Sequence, residues 1–357
     1  MHKTLITLAL AGAVAAPALA QGSLTVFGIA DLAVRSVTND GPGTMKSLVS
    51  GSSSTSRLGF RGVEDLGGGL SAGFHLEHGI LLDIGTAASA TQFFDRRATV
   101  SLASTTLGEL RAGRDYMPTY TVWTRHDPFS YVGVAGSNNL VNATPTGPIR
   151  SAFGSNPNTA VRSSNAIEYL LPAGLGGLEG GVLLAAGEGG AVASGLAKVV
   201  SVRLGYAAGP FGVAVATASS KNSQTSGGAF KDNTVAARYD AGLVRLAVAW
   251  REFKQATATQ TNTLLAAVVP LGASELKLSY NKADMGGRVG TTRIEANGAS
   301  QIGLGYVYNL SKRTSLYASY SRLDNEGTAN FVIPGGPAGL RAGGTSTGYE
   351  AGLRHNF

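Results

Sequence analysis

The sequence predicts an all-β fold: a sixteen-stranded antiparallel transmembrane β-barrel with a long third loop folded inward. Three observations predict it. Apolar and polar residues alternate with period two in segment after segment, connections alternate between short and long, and an export-type leader precedes a chain with no run long enough for a membrane-spanning helix.

The N-terminus is read first because it sets the compartment. Met1-His2-Lys3 supplies a positive end, Leu5 to Ala16 an apolar run, and Pro17 with Ala18-Leu19-Ala20 a small-residue cleavage site. Residues 1–20 are therefore expected to be a cleaved signal peptide, and residues 21–357 the barrel. Without Lys3 the chain keeps 28 bases against 22 acids, a net charge of +6. An exported chain of over 300 residues with no cysteine must hold together without disulfides, as a large closed sheet can. It also cannot build thiol catalysis or a cysteine zinc site.

Alternation places successive side chains on opposite faces of a strand. In 24–37, Leu24, Val26, Gly28, Ala30, Leu32 and Val34 form one set, and Thr25, Asp31 and Arg35 belong to the other. Leu58 and Phe60 oppose Arg57 and Arg61 in the same way, and the split returns at 98–102, 276–280 and 302–306. The 263–269 segment alternates poorly and gives the weakest strand.

Seven short turns are expected, near 65–69, 105–108, 173–177, 208–210, 240–242, 270–273 and 309–313. Eight longer polar segments separate them, at 38–53, 83–92, 115–160, 189–197, 221–231, 255–261, 285–297 and 325–345. Sixteen strands lie between these boundaries. An even count with a tight-turn end and a long-loop end is the pattern of outer-membrane barrels. A solenoid would show one fixed repeat, and none is found. A soluble sandwich would bury its apolar set between two sheets, whereas here the polar set carries charge on strand after strand. Aromatics of the apolar set fall near strand ends: Tyr169, Tyr206, Phe211, Tyr239, Trp250, Tyr280, Tyr306, Tyr308, Tyr320 and Phe357. They are expected as two headgroup-level girdles. Phe27 and Tyr317 have lumen parity instead.

One connection, 115–160, exceeds forty residues, a length that is normally functional or disordered. It carries Tyr116, Tyr120, Trp123, Phe129 and Tyr131 among prolines. Those rings need a surface to pack on, so the loop is expected to enter the barrel and narrow it.

With these pieces in place the chain resembles a Gram-negative general porin of the β-proteobacterial and Neisserial type. The matching motifs are Leu24-Thr25-Val26-Phe27-Gly28, the stretch from Ser56 to Gly67, Gly113-Arg114-Asp115-Tyr116-Met117-Pro118, Arg162 to Tyr169, Leu310 to Thr314, and Gly352-Leu353-Arg354-His355-Asn356-Phe357. They run from end to end. The resemblance implies a bacterial outer-membrane protein, a homotrimer of sixteen-stranded barrels, and a third loop acting as the constriction. It also implies that terminal Phe357 serves as a barrel-insertion signal. Partners would be small hydrophilic solutes, inorganic and organic anions, and outer-membrane lipid. No nucleic acid, cofactor or metal is implied. The chain departs from the pattern around Asp127-Pro128-Phe129, where the loop is poor in acids.

A pore selects by radius and by the charges lining it, without catalysis. Parity puts Arg57, Arg61, Arg97, Arg162 and Arg35 on the lumen side of the first six strands, facing the loop with its Asp115 and Asp127. Arg96 points the other way unless a bulge intervenes. Arg203, Arg238, Arg245 and Arg251 extend the positive field. Lumen-side acids on the same arc are Asp31, Glu77 and Glu168. Guanidinium stays charged and offers a weakly hydrated donor fork to anions, and clustered like charges raise the local anion concentration. An anion-preferring diffusion channel is the expectation. A substrate-specific channel and a non-conducting, adhesin-like barrel are the alternatives. A barrel enzyme lacks a second motif beside its few histidines: Gly344-Thr345-Ser346-Thr347-Gly348 enters a strand rather than a strand-to-helix elbow.

Overall fold

The computed structural model describes residues 22–141, 145–154, 160–187 and 197–357; the expected signal peptide lies outside the described residues, as does most of the 189–197 loop. Among the described residues sixteen antiparallel strands form one closed barrel. They are β1 (Ser23–Asn39), β2 in two pieces (Gly43–Ser50 and Arg57–Gly67), β3 (Leu70–Leu81), β4 (Arg97–Ser104), β5 (Gly108–Tyr116), β6 (Arg162–Leu170), β7 (Leu178–Ala185) and β8 (Lys198–Ala208). The circuit continues through β9 (Phe211–Lys221), β10 (Phe230–Asp240), β11 (Arg245–Gln255), β12 (Ala258–Leu271), β13 (Ser274–Gly286), β14 (Gly298–Asn309), β15 (Thr314–Glu326) and β16 (Thr345–Asn356).

Closure is made by β1. One edge of this strand pairs with both pieces of β2, and the other pairs with β16 from Ile29↔Asn356 to Asn39↔Ser346. Phe357 completes the seam, its N–H and C=O each bonded to Gly28 at 3.0 Å. A sheet closed in this way leaves no unpaired edge for hydrocarbon to face.

The seven short turns stand where the alternation of turn lengths put them. Two of the eight expected loops do not. Residues 43–50, inside the expected 38–53 loop, pair with β1 in register from Thr38↔Thr44 to Leu32↔Ser50. The chain leaves the sheet only at 51–56. The expected 255–261 loop is a tight hairpin with Ala256 at φ +52°. In both places the hairpin runs on through Gly-, Ser-, Thr- or Gln-containing sequence that reads as loop. The weakly alternating 263–269 segment lies within continuous β12, paired on both edges.

The outward set is exposed and apolar, for example Val34, Val100, Ile167, Val213 and Leu304. Of the expected girdle residues, Tyr169, Tyr206, Phe211, Tyr239, Trp250, Tyr280, Tyr306, Tyr308 and Phe357 are exposed. Tyr320 is half-buried beside Tyr349 at a centroid distance of 4.9 Å.

Candidate functional site

The 115–160 loop folds inward. It holds two short helices, α1 (Pro118–Thr124) and α2 (Pro148–Phe153), each opened by a proline at its first position, where the missing N–H costs nothing. α1 lies against β8, β9 and β10, and α2 against β11 and β12. Val122 and Trp123 pack on Ala216, Ala236, Ala249 and Leu264. Farther along, Val141, Ile149, Ala152 and Phe153 pack on Phe230 and Phe253. These wall residues have lumen parity, yet they are alanine, leucine and phenylalanine, because the loop covers them and water does not.

Burying a large apolar side chain contributes about 1.5–3 kcal/mol, against roughly 0–1 for an exposed ion pair. The apolar anchors Trp123, Leu140, Ile149 and Phe153 therefore outweigh the exposed Arg125–Glu179 pair in seating the loop. Polar contacts set its register. Thr119 Oγ1 donates to Asp232 Oδ2 at 2.6 Å, Gln260 Nε2 to the Leu140 carbonyl at 2.6 Å, and the Val134 N–H to Glu350 Oε1 at 3.2 Å. Asp232 also forms a buried pair with Arg251 at 2.7 Å, and Arg251 Nη2 reaches the Ala160 carbonyl at 3.3 Å. Arg251 is thus a loop anchor sealed from the pore.

Opposite the loop, the basic residues divide into two groups. In the first, Arg57 Nη1 lies 3.1 Å from Glu77 Oε1, and Arg96 Nε pairs with the same oxygen. Arg96 Nη2 donates to Tyr116 Oη at 2.8 Å, and that hydroxyl donates to Glu77 at 3.3 Å. Arg162 stands over the Tyr116 ring at 4.8 Å; Tyr120 stacks on that ring at 5.5 Å and meets Tyr131 edge-on at 5.1 Å. Rings so covered are a scaffold that spaces the guanidinium groups. Three cations stand against the single carboxylate of Glu77, leaving a net charge of +2 on this arc.

The second group sets two arginines against three carboxylates, a formal charge of −1. Arg97 and Arg111 both approach Asp115 Oδ2, at 3.2 and 3.4 Å, and Arg111 also meets Glu109 at 2.7 Å and Glu168 at 3.6 Å. His75 bridges the groups, 3.4 Å from both Glu77 and Arg97. A bulge between Gly113 (φ +131°) and Asp115 lets Arg114 and Asp115 both turn into protein rather than alternate.

Arg57 and Arg162 meet in the cationic group, and Arg97 and Asp115 pair next to it. Arg61 is exposed nearer the short-turn end, its guanidinium 5.4 Å from the Phe27 ring. Arg35 does not line open lumen: it is buried in a two-bond pair with Glu350 at 2.9 and 2.7 Å, roofed by Ser52 and the Pro334 carbonyl. Asp127 does not face the arginines either. It accepts the N–H groups of Phe129, Tyr131 and Ser137 at 2.8–3.0 Å and holds the loop's own turn. Arg96 turns inward, against expectation, because it precedes β4 and strand parity does not govern it.

Sequence reasoning passed over Arg111, Lys277 and Arg354. Lys277 and Arg354 have lumen parity, opposed by Leu276, Leu278 and Leu353, so alternation held the signal. Neither has a carboxylate within 4 Å among the described residues, and Arg354 Nη1 donates to Ser53 Oγ at 3.3 Å. In the loop, burial holds His126 below the ordinary histidine range, and Arg125 and Arg238 push it the same way.

A family model described as Gram-negative porin matches residues 7–328. Outer membrane porin protein 32 of Delftia acidovorans is 36% identical, with 100% of each chain covered. An outer membrane porin protein of Bordetella pertussis is 27% identical, again over 100% of both. Among solved structures, the anion-selective porin from Comamonas acidovorans superposes with a TM-score of 0.78 at 34% identity, covering 94% of this chain and 100% of that one.

Proposed function

The chain belongs to the Gram-negative porin family and is an outer-membrane diffusion channel rather than an enzyme, and from that premise we propose that its constriction prefers anions. The observation that carries this reading is the imbalance of charge facing the loop: Arg57, Arg96 and Arg162 stand against one carboxylate, Glu77. The similarity to a porin described as anion-selective supports the same sign. Arg97, Arg61 and Asp115 belong to this reading as neighbours that shape the field, and Lys277 on β13 and Arg354 on β16 add positive charge with lumen parity. Small hydrophilic anions would pass from one weak site to the next, since a single tight site would hold them. The reading includes residues 1–20 as a cleaved leader and assembly as a homotrimer. It is tested by the zero-current potential of the purified protein in planar bilayers under a potassium chloride gradient. Chloride more permeant than potassium is the expected sign; the opposite sign refutes the preference and leaves the barrel standing.

A further inference from the structure

On the lumen wall of β13, β14 and β15 stands a cation without a counter-charge. Lys277 faces Gly305 across the β13–β14 ladder, Gly305 faces Ser319 on β15, and Val307 pairs with Tyr317 in the next lumen-side row. Lys277 is half-buried, and among the described residues its ammonium makes no hydrogen bond and has no carboxylate within 4 Å. The acids of this region are already engaged. Glu275 pairs with Arg245 and Glu350 with Arg35, while Asp127 holds the N–H groups of Phe129, Tyr131 and Ser137, and Asp31 those of Ser52, Ser53 and Ser54. Arg354 on β16 is little better served: Nη1 donates to Ser53 Oγ at 3.3 Å, and Nε is buried without a partner. Two serine hydroxyls beside these cations are orphaned as well. Ser315, directly across from Arg354, is 2% exposed, and Ser279, the next lumen-side residue on β13 from Lys277, is 7% exposed.

Two loop segments close over this wall and leave a cavity of about 10 Å³, bounded chiefly by Ser52, Ser53, Phe129, Lys277, Tyr317 and Ser319. That is room for a single water-sized particle. Ser53 Oγ accepts from Arg354, which leaves its own proton to donate. Glycine at 305 admits the loop's aromatic ring: a Cβ there would meet Phe129 Cε1 at 2.6 Å and Cζ at 3.2 Å. The ring therefore presents its edge, the positive end of the aromatic quadrupole. The cavity gathers an ammonium, hydroxyl donors and a positive ring edge, and no carboxylate lines it.

A cation taken out of water without a counter-charge is costly. A water molecule would supply hydrogen bonds but no charge, and a carboxylate or sulfate is larger than the space. We infer that this cavity binds one halide ion, chloride in ordinary salt, held by Lys277 Nζ and the Ser53 and Ser319 hydroxyls with Arg354 behind Ser53. The site lies between loop and wall, on strands remote from the Arg57–Arg96–Arg162 arc, so its ion is a resident brace rather than one in transit. It fastens the Phe129 turn and the 51–56 segment to β13–β15 and leaves Lys277 and Arg354 one positive charge between them. The inference does not depend on the sign of the pore's ion preference.

The test uses the full-length porin folded in detergent. Crystals grown in sodium bromide should show an anomalous bromine peak between Lys277, Ser53 and Phe129, and crystals of Lys277→Met should lack it. In solution, thermal unfolding followed by circular dichroism compares potassium chloride with potassium gluconate at equal concentrations, because gluconate carries the same charge and is too large to enter. The midpoint should climb with the logarithm of chloride concentration beyond any rise in gluconate. Both wild-type comparisons stand without a variant. Lys277→Met should remove the chloride-specific rise and Ser53→Ala weaken it, whereas Arg57→Ala with Arg162→Ala, which strips the constriction arc, should keep it whole. No bromine peak at this position, an equal rise in both salts, or an undiminished chloride dependence in Lys277→Met would each overturn the assignment.

Discussion

Replacing Arg57 and Arg162 by alanine isolates the charge imbalance. Arg162 has no carboxylate within 4 Å among the described residues, and Arg57 shares Glu77 with Arg96, so the double variant turns an arc of net +2 into an Arg96–Glu77 pair of net zero. An ion passing about 7 Å from a unit charge in water-like dielectric gains or loses about 0.6 kcal/mol, close to RT. Each lost charge therefore lowers local chloride about 2.7-fold and raises local potassium by the same factor. The permeability ratio should fall about sevenfold per charge and about fiftyfold for the pair. Zero-current potentials in a tenfold salt gradient read this ratio directly, and unitary conductance shows whether the loop has stayed in place. A ratio within twofold of wild type, at unchanged conductance, would show that the selecting charges lie elsewhere, with Lys277 and Arg354 next in line.

Two further outcomes concern the loop. Asp232→Ala strips a fully buried Arg251 of its partner and Thr119 of its acceptor. Breaking such a pair costs about 3–5 kcal/mol, which should loosen the loop while the barrel persists. Unitary conductance should rise and Trp123 emission shift to the red, measured with Trp250→Phe so that Trp123 is the sole indole; wild-type emission would show that the pair is not an anchor. His126 provides the pH test. Its folded pKa lies below the unfolded value of about 6.5 because burial, Arg125 and Arg238 oppose the imidazolium, with Glu179 and the Val122 carbonyl acting the other way. The unfolded loop thus binds the proton more readily. The contribution of His126 is fully present above about pH 6.5 and is lost as pH falls through its folded pKa. The same Trp123 emission should shift red on acidification, and His126→Gln should flatten that dependence; an equal shift in the variant would assign it to another group.

Much of the barrel was legible in the order of residues, because a strand writes its two faces into a period of two that needs no distant information. That period placed Arg57 and Arg162 on the lumen side and Tyr206 and Trp250 toward lipid, while local turn signals placed the seven short turns. It also carried Lys277 and Arg354, which were readable and passed over. It failed where the chain departs from regular strand. Arg96 precedes β4, the 51–56 segment leaves the sheet with its N–H groups held by Asp31, and the bulge at Gly113 turns Arg114 and Asp115 together.

The sequence by itself determined which face each strand residue takes, how many strands the barrel has, and that an aromatic-rich loop requires a surface. Only the tertiary structure decided what lies above each face. Arg35 and Arg251 share lumen parity with Arg57, yet Glu350 with Ser52 and Pro334 closes over the first, and Asp232 beneath the loop holds the second. The physical reason is the range of the information. Side-chain direction follows from local backbone geometry, whereas access to water depends on a loop that crosses the barrel to strands more than a hundred residues away.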